Sequence, residues 1–459
     1  MSHAQPRCGH SIDLRRLVAM LIVAAAAVIT PTSNAHATTP TKPNIVIIMS
    51  DDQRWDTMND RYMPNLTQLL APNGVRLDQA FVSNPLCCPS RVSTLTGRYS
   101  YTTGVYGNRG MWGGYGAARR FDATTDTIAT TLQADGYVTG LVGKYLNGYE
   151  PAIDYRTIPP GWDSWFEVRT AAYYNYAAAV DGVSVQTYGS APEDYSTRVL
   201  ADRALSFINA QAGGPFFLYF APTAPHGPAI ADPDDAGMFD ADLASYGRPP
   251  SEQEADVSDK PAYVQERAPS ATTQAYYDDF YARQLAATYG VDRAIGEIWQ
   301  ALPDNTVVLF MSDNGYEWGE HRRIGKIVPY NESIRVPMLI ASKSVDLSAI
   351  GPVGGSTDRL ALNVDVRPTL ESFVGDFPQA ILDRRRSLDE IGCTTGLPDH
   401  ALDEQGIDPG LLRCSVTELD VRQVRRWLRG GVRRTARSLR AEQHLGDRPC
   451  EPAAPGSPR

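Results

Sequence analysis

Acidic and amide residues occur in two short groups, each directly after an apolar run. Asp51 and Asp52 follow one run, and Asp313 and Asn314 follow another. An isolated Asp-Asp pair is usually a solvated loop, but two neighbouring carboxylates that are buried repel each other unless a cation lies between them. Carboxylate and amide oxygens are the ligands that Ca²⁺ and Mg²⁺ prefer. If the two groups meet, they form a site for a divalent cation, and the choice between the two ions stays open.

A second segment with chemical potential begins at Cys87 and Cys88, which are followed by Pro89. Proline is favoured in the first turn of a helix, so the spacing predicts that Cys87 lies at a helix N-terminus. Exposed N–H groups and the helix dipole favour an anion at that position. Arg91 lies one turn further on, from where its guanidinium can reach back towards the same end. The alternative is a pair of buried structural cysteines before an ordinary helix.

These residues require a sheet that holds them at one edge. Five continuous apolar runs have the character of strands covered on both faces, at 43–49, 137–142, 215–220, 306–311 and 336–341. Helical spacing lies between them, at 127–135, 194–210 and 274–302. The alternation predicts an α/β sandwich with a mostly parallel central sheet. Polar residues follow four of the runs, at the strand ends where open α/β sheets place their ligands.

The stretch 229–271 is rich in Asp, Pro and Gly and has little periodicity. It is predicted to be a long surface loop that borders the site.

Composition limits the classes of function. The 459 residues are 42% hydrophobic and 21% charged, with a formal net charge of −10. These values are typical of a globular protein with room for one large domain or two moderate ones. The negative charge argues against a nucleic-acid-binding protein.

Residues 1–37 have the pattern of a signal peptide. Arg15 and Arg16 precede an apolar run at 17–29 that is too short to span a membrane comfortably. A small-residue cleavage pattern ends at Ala37, and the arginine pair permits twin-arginine export. No later run resembles a membrane span. The expectation is a secreted or periplasmic protein without stable membrane insertion.

The segment 87–98 matches C-x-P-S-R-x-x-x-L-T-G-R, the signature of the sulfatase family, at every defined position. The resemblance implies that a maturation enzyme oxidises Cys87 to formylglycine, an aldehyde whose hydrate attacks the sulfur of a sulfate ester. The S-D-D and S-D-N-G elements resemble the metal-binding segments of the family. They imply calcium, with magnesium as the alternative, bound by Asp51, Asp52, Asp313, Asn314 and modified Cys87.

The resemblance assigns further roles around the sulfate. It implies that Arg91, Lys144, His226 and Lys326 offset charge on the sulfuryl oxygens, and that His226 or Lys326 protonates the leaving oxygen. His321 is a weaker candidate, either as a proton donor or as a loop-structuring residue. Many sulfatases carry a histidine two residues after the first lysine. This chain has Leu146 there, so that role has to pass to another base.

The substrate expectation also comes from resemblance. The Gly-Lys-Tyr-Leu-Asn element and the aromatic segments at 162–166 and 173–176 resemble the N-acetylglucosamine-6-sulfatase branch, which implies a sulfated sugar, with an aryl sulfate as a simple substrate. The aromatic side chains could stack on sugar rings or pack in the core. Two rival functions stay open: a phosphonate or phosphate ester hydrolase of the same superfamily, and an inactive carbohydrate-binding pseudoenzyme.

The resemblance covers residues 43–383, and residues 38–383 are expected to form the catalytic domain. The usual small C-terminal domain is expected to be absent or altered, because residues 384–459 form an atypical Arg-rich tail. The tail is either a basic segment that binds an anionic polymer or, as we favour, a poorly ordered terminus left by a frame shift or truncation. It contains three cysteines, which cannot all pair with one another: Cys393, Cys414 and Cys450.

Overall fold

The computed structural model describes residues 42–375, apart from 151–153, 170, 212, 243–249, 253 and 266–270. The expected signal peptide and the Arg-rich tail lie outside the described residues, as do both expected domain boundaries, so these expectations remain predictions. Within the described residues, no helix is both long enough and apolar enough to cross a bilayer.

A ten-stranded sheet forms the centre of the molecule, in the order β12-β2-β11-β8-β1-β7-β3-β4-β5-β6. A small antiparallel pair, β9 and β10, lies outside it. The strands are β1 (Asn44–Ser50), β2 (Gly74–Phe81), β3 (Val138–Gly143), β4 (Ser164–Val168), β5 (Tyr176–Val180), β6 (Ser184–Tyr188), β7 (Phe216–Ala221), β8 (Thr306–Ser312), β9 (Glu317–Trp318), β10 (Ile324–Gly325), β11 (Met338–Ser342) and β12 (Gly355–Leu362).

The central strands β8, β1, β7, β3 and β4 all run parallel, and antiparallel pairs occur towards both sides. Every residue of β1, β7 and β8 is buried, which is why these segments read as continuous apolar runs. The predicted mostly parallel sheet is therefore confirmed. Five of its strands, β1, β3, β7, β8 and β11, lie within one or two residues of the predicted runs.

The remaining strands of the sheet were not predicted. Local sequence marks them weakly, because β6 and β12 contain few buried residues, β2 contains Arg76, Asp78 and Gln79, and β4 and β5 are only five residues long. Such strands are stabilised by pairing with a neighbour, which local periodicity does not report.

Helices cover both faces of the sheet. Alternate residues of β1 belong to two separate core clusters, with Ile45 and Ile47 in one and Val46 and Ile48 in the other. The helices are α1 (Cys87–Thr96), α2 (Ser100–Thr103), α3 (Gly114–Arg120), α4 (Ile128–Ala134), α5 (Ser196–Asn209), α6 (Ala262–Gln265), α7 (Ala271–Ala301), α8 (Asn331–Ile334) and α9 (Val366–Val374). The three predicted helices correspond to α4, α5 and α7.

The described part of the predicted loop at 229–271 consists mainly of turns, as expected. It also contains α6 and one turn of 3-10 helix at Pro250–Glu252, which the prediction did not include.

Candidate active site

The two acidic groups meet at the carboxyl ends of β1 and β8. These strands pair in parallel with Ser50 opposite Ser312, so the residues that follow them lie side by side. The Asp52 backbone N–H donates to Asp313 Oδ1 at 3.2 Å, and Asn314 Nδ2 donates to Asp52 Oδ1 at 2.8 Å. The parallel register therefore brings together residues that are 261 or 262 positions apart in the sequence.

Asp52 has an unusual backbone conformation. Its φ of 66° lies in the left-handed region, which costs free energy for a residue with a side chain but is tolerated best by Asn and Asp. The next N–H, from Gln53, donates to Ser312 Oγ at 2.9 Å and holds the turn against β8. Strain of this kind persists where the surroundings hold it, commonly at functional sites.

Cys87 is the first residue of α1, as the Cys-Cys-Pro spacing predicts. Its thiol donates to Asp51 Oδ1 at 3.7 Å, and Lys326 Nζ donates to its sulfur at 2.7 Å. The next residue, Cys88, is also buried and unbridged, and burial raises the pKa of its thiol to about 12. Its backbone N–H donates to Asn108 Oδ1 at 2.9 Å. The two adjacent cysteines are thus in different environments, and Cys87 faces the acidic groups.

Arg91 reaches back from the second turn of α1 to the carboxylates. Its guanidinium is fully buried and donates to Asp313 Oδ2 at 2.8 Å and to the carbonyl oxygen of Lys144 at 2.9 Å. One of its nitrogens lies 3.6 Å from Asp51. Arg91 therefore contacts both acidic groups and the segment after β3.

Two lysines complete this arrangement, Lys144 with 1% and Lys326 with 11% of the side chain exposed. Lys144 follows β3 directly, and its Nζ donates to Asp51. Lys326 follows β10, and its Nζ donates to Asp52 and lies 3.4 Å from Asn314 Oδ1. Burial alone would lower the pKa of each lysine, but the adjacent carboxylates raise both. Both ammonium groups therefore remain charged.

His226 lies in the loop after β7 and is the most exposed side chain of this group, with 24% of its side-chain area accessible to solvent. Its Nε2 is 3.7 Å from Asp52 Oδ2. Burial alone would lower the pKa of His226, but Asp52 and Asp51 raise it to about 9. Conversely, burial would raise the pKa of Asp51, whereas Lys144, His226 and Arg91 lower it to about 2. Cations and carboxylates thus stabilise each other's charged forms.

A divalent cation fits the donor set. Ligand atoms of Asp51, Asp52, Cys87 and His226 all lie within 4.8 Å of one another. Asp313 and Asn314 are in direct contact with this group, so all five predicted metal ligands lie together, and His226 joins them. Buried carboxylate and amide oxygens suit Ca²⁺ or Mg²⁺.

Other residues considered from the sequence lie elsewhere. His321 stacks on Tyr330 with ring centroids 3.7 Å apart, and its Nε2 is 3.7 Å from Glu332. Leu146 is buried in the core cluster that contains Ile45. The aromatic segments at 162–166 and 173–176 contribute mainly buried rings, so most of these side chains pack in the core rather than forming a surface for sugars.

Three residues make contacts that fix the site and that were not predicted. Asn108 Oδ1 accepts the Cys88 N–H at 2.9 Å, and the Tyr173 hydroxyl donates to the His226 carbonyl oxygen at 2.7 Å. Asn363 accepts from the Ser83 N–H at 2.9 Å and donates to the Ser90 carbonyl oxygen at 3.1 Å. The distant group that an Asn or Tyr side chain contacts depends on the tertiary fold, so local sequence does not indicate these partners.

A cavity of about 630 Å³ opens beside His226. The residues that line it are mainly polar: Asn108, Arg109, Asn147, Gly148, Glu150, Arg169, Ala171 and His226. The cavity gives a ligand access to the exposed face of the histidine.

Comparison with known proteins supports one family. The sulfatase family model matches residues 43–374, which is more than half of the chain. Arylsulfatase from Volvox carteri is 32% identical in an alignment of 396 positions that covers 79% of this chain and 59% of that protein. N-acetylglucosamine-6-sulfatase from Homo sapiens is 26% identical in an alignment of 349 positions that covers 73% of this chain and 61% of that protein. The chain thus spans about three-fifths of the length of each of these two relatives.

The same architecture occurs among solved structures. One is a protein in complex with its substrate D-glucosamine-2-N,6-O-disulfate, with a TM-score of 0.57 and 22% sequence identity. The match covers 74% of this chain and 78% of the other. This likeness concerns the fold.

Proposed function

The chain belongs to the sulfatase family, and we propose that it hydrolyses sulfate esters with a formylglycine formed from Cys87 and a bound divalent cation. The observation that carries the proposal is the position of the Cys87 sulfur. It lies 3.7 Å from Asp51 Oδ1 and 2.7 Å from Lys326 Nζ, at the start of a helix and within a group of metal-type ligands. A nucleophile there would be next to both the cation and a proton-carrying side chain.

The proposed cation, Ca²⁺ with Mg²⁺ as the alternative, would be held by Asp51, Asp52, Asp313, Asn314 and the modified Cys87. When bound, it would lower the pKa of an oxygen nucleophile and polarise the ester. The modified side chain would supply an oxygen nucleophile whose second hydroxyl allows sulfate to be expelled afterwards. Formation of the aldehyde requires the maturation enzyme of the host.

Four cationic side chains would bind and orient the sulfate group. Arg91, Lys144 and Lys326 are held by buried carboxylates, and His226 faces the cavity. Pre-organised charges in a site that excludes water stabilise developing negative charge without further reorganisation. Lys326 and His226 are the least buried of these four side chains, so we assign them to the sulfuryl oxygens and to the leaving oxygen.

His226 is the proposed proton donor to the leaving alcohol. Asp52 and Asp51 raise the pKa of His226 above its ordinary value, which favours the protonated ring in the cation-free protein, and this ring lies at the boundary between the acidic groups and the cavity. A general acid needs both a retained proton and access to the leaving atom. Lys326 is the second candidate, because its Nζ contacts the Cys87 sulfur directly.

We propose a sulfated saccharide as the natural substrate. This rests on the sequence likeness to N-acetylglucosamine-6-sulfatase and on the polar lining of the cavity, which suits hydroxyl groups. We further propose that residues 38–383 form the catalytic domain and that residues 1–37 are removed on export. A mature N-terminus at Thr38 in protein recovered outside the cytoplasm would support the second statement.

Peptide mass spectrometry across Cys87, on protein made in its own host, tests the nucleophile. Conversion to formylglycine lowers the peptide mass by about 18 Da relative to cysteine. Hydrolysis of 4-nitrophenyl sulfate should then require Ca²⁺ or Mg²⁺ and should disappear in Cys87→Ala. Unmodified cysteine in exported protein would contradict the mechanism and favour the carbohydrate-binding pseudoenzyme. Faster cleavage of an aryl phosphonate than of the aryl sulfate would favour the phosphonate hydrolase.

A further inference from the structure

The cavity beside His226 carries positive charge that the reaction at sulfur does not use. Among the described residues, Arg109 and Arg169 line it together with a single carboxylate, that of Glu150. Arg91, Lys144 and Lys326 are occupied by the buried acidic groups instead. Two guanidinium groups are therefore left facing the space where the alcohol part of a substrate would lie.

Arg109 is presented by a loop that is tied to the nucleophile-bearing helix. Asn108, its neighbour, accepts the Cys88 N–H at 2.9 Å. The two ends of the loop are joined by backbone hydrogen bonds, from the Tyr106 N–H to the Trp112 carbonyl at 2.7 Å and from the Gly114 N–H to the Gly107 carbonyl at 2.8 Å. Among the described residues, Arg109 has no carboxylate within ion-pair distance. Its backbone position relative to Cys87 is thus held, while its guanidinium is free to pair with a ligand.

Arg169 is positioned by a different element and follows β4 directly. It pairs with Glu150 at 3.7 Å, and their side chains are 67% and 43% exposed. An ion pair this exposed contributes little to stability and is easily rearranged by a ligand. The Ala171 N–H donates to Thr223 Oγ1 at 2.8 Å, which fixes the segment after Arg169 near the loop that carries His226.

We propose that the cavity binds a saccharide that carries a second anionic group, a sulfate or a carboxylate, in addition to the sulfate ester that is cleaved. Arg109 and Arg169 would contact this second group. Guanidinium groups pair with the oxygens of sulfate and carboxylate through two parallel hydrogen bonds, which neutral hydroxyl groups do not match. Glu150 would restrain Arg169 and accept a sugar hydroxyl. The inference rests on the proposed function and specifies its substrate class as acidic saccharides with at least two anionic groups.

Binding to the Cys87→Ala protein tests the inference without turnover. Titration calorimetry would compare N-acetylglucosamine 6-sulfate with glucosamine-2-N,6-O-disulfate. We expect about tenfold tighter binding of the disulfate, the size of one charge-assisted hydrogen bond. Arg109→Gln and Arg169→Gln, made in the same background, should each remove most of that difference. The control Arg119→Gln replaces an exposed arginine outside the cavity lining and should retain the difference.

Kinetics in the active protein give the second measurement. The arginine substitutions should raise KM for the disulfate more than for the monosulfate, with a smaller change in kcat, because they remove binding that is equal in the ground state and the transition state. Equal affinity for the two saccharides, or an equal loss on both, would overturn the inference. Selective binding without hydrolysis would contradict only the proposed function, and hydrolysis without selectivity would contradict only the inference.

Discussion

Replacing Asn363 with alanine should weaken both the fold and the site. Asn363 is fully buried between β12 and α9 and makes three hydrogen bonds to the region that carries Cys87. It accepts from the Ser83 N–H at 2.9 Å and donates to the carbonyl oxygen and hydroxyl of Ser90, both at 3.1 Å. Ser90 lies in the first turn of α1, so these bonds hold the helix end from which Cys87 projects.

The expected loss of stability depends on which hydrogen bonds Ser83 and Ser90 keep after the substitution. The Ser90 carbonyl still accepts from Thr94 Oγ1 at 3.0 Å, whereas the Ser83 N–H loses its side-chain acceptor. Three bonds at about 1 kcal/mol each give a loss of about 3 kcal/mol in the free energy of unfolding. For a domain of this size, this corresponds to a decrease of about 4 °C in Tm.

Urea unfolding followed by circular dichroism would measure the change in stability. The rate of 4-nitrophenyl sulfate hydrolysis would measure the change in catalytic activity. Because the helix end would shift relative to Lys326, we expect kcat to fall at least about tenfold while KM changes less. The control Asn209→Ala, at the exposed last residue of α5, should change stability by less than about 0.5 kcal/mol. A loss for Asn363→Ala no larger than that of the control would refute the reasoning.

Three further outcomes are expected. In chelator-treated protein, the raised pKa of His226 means that its protonated ring stabilises the fold by about 3 kcal/mol. This contribution is fully present below pH 6.5, the ordinary pKa of the group, and is lost as the pH rises through about 9. Urea unfolding at both pH limits should show the loss, and His226→Gln should abolish it. Gly143→Ala should prevent soluble expression, since φ is 117° and a Cβ would lie 2.1 Å from the Ala221 carbonyl oxygen, whereas Gly116→Ala in α3, with nothing within 4 Å, should be neutral or stabilising. Arg91→Met leaves buried carboxylates without their partner and should lower the free energy of unfolding by about 3–5 kcal/mol in chelator-treated protein. Added Ca²⁺ should restore part of this stability in a thermal melt. Equal melting temperatures with and without Ca²⁺ would contradict binding of the cation by these carboxylates.

Much of the central architecture could be predicted from local sequence patterns. Strands that are buried on both faces are apolar throughout, so β1, β3, β7 and β8 were identified together with the polar residues that follow them. The edge strands were not, because β6 and β12 contribute few buried residues and are defined by their partners. The periodicity of a segment reports how much of it is buried, and it reports little about which strand lies beside it.

Some features of the candidate site were likewise predicted from the sequence, and others were not. The Cys-Cys-Pro spacing predicted a helix that begins at Cys87, and α1 does begin there. The sequence also suggested that the carboxylates would share one edge of the sheet. It did not indicate that Asn363 contacts Ser90, 273 positions away, or that Arg109 and Arg169 line one cavity.

The sequence by itself determined the helix start at Cys87, the buried strands and the acidic residues at their ends, because capping, proline position and apolar periodicity act over a few neighbouring residues. Only the tertiary structure decided which distant groups meet. Lys326 contacts the Cys87 sulfur across 239 positions because β10 ends beside the carboxyl ends of β1 and β8. Such contacts depend on strand order and loop path, and the free energy that selects them comes from packing the whole domain, which no local segment encodes.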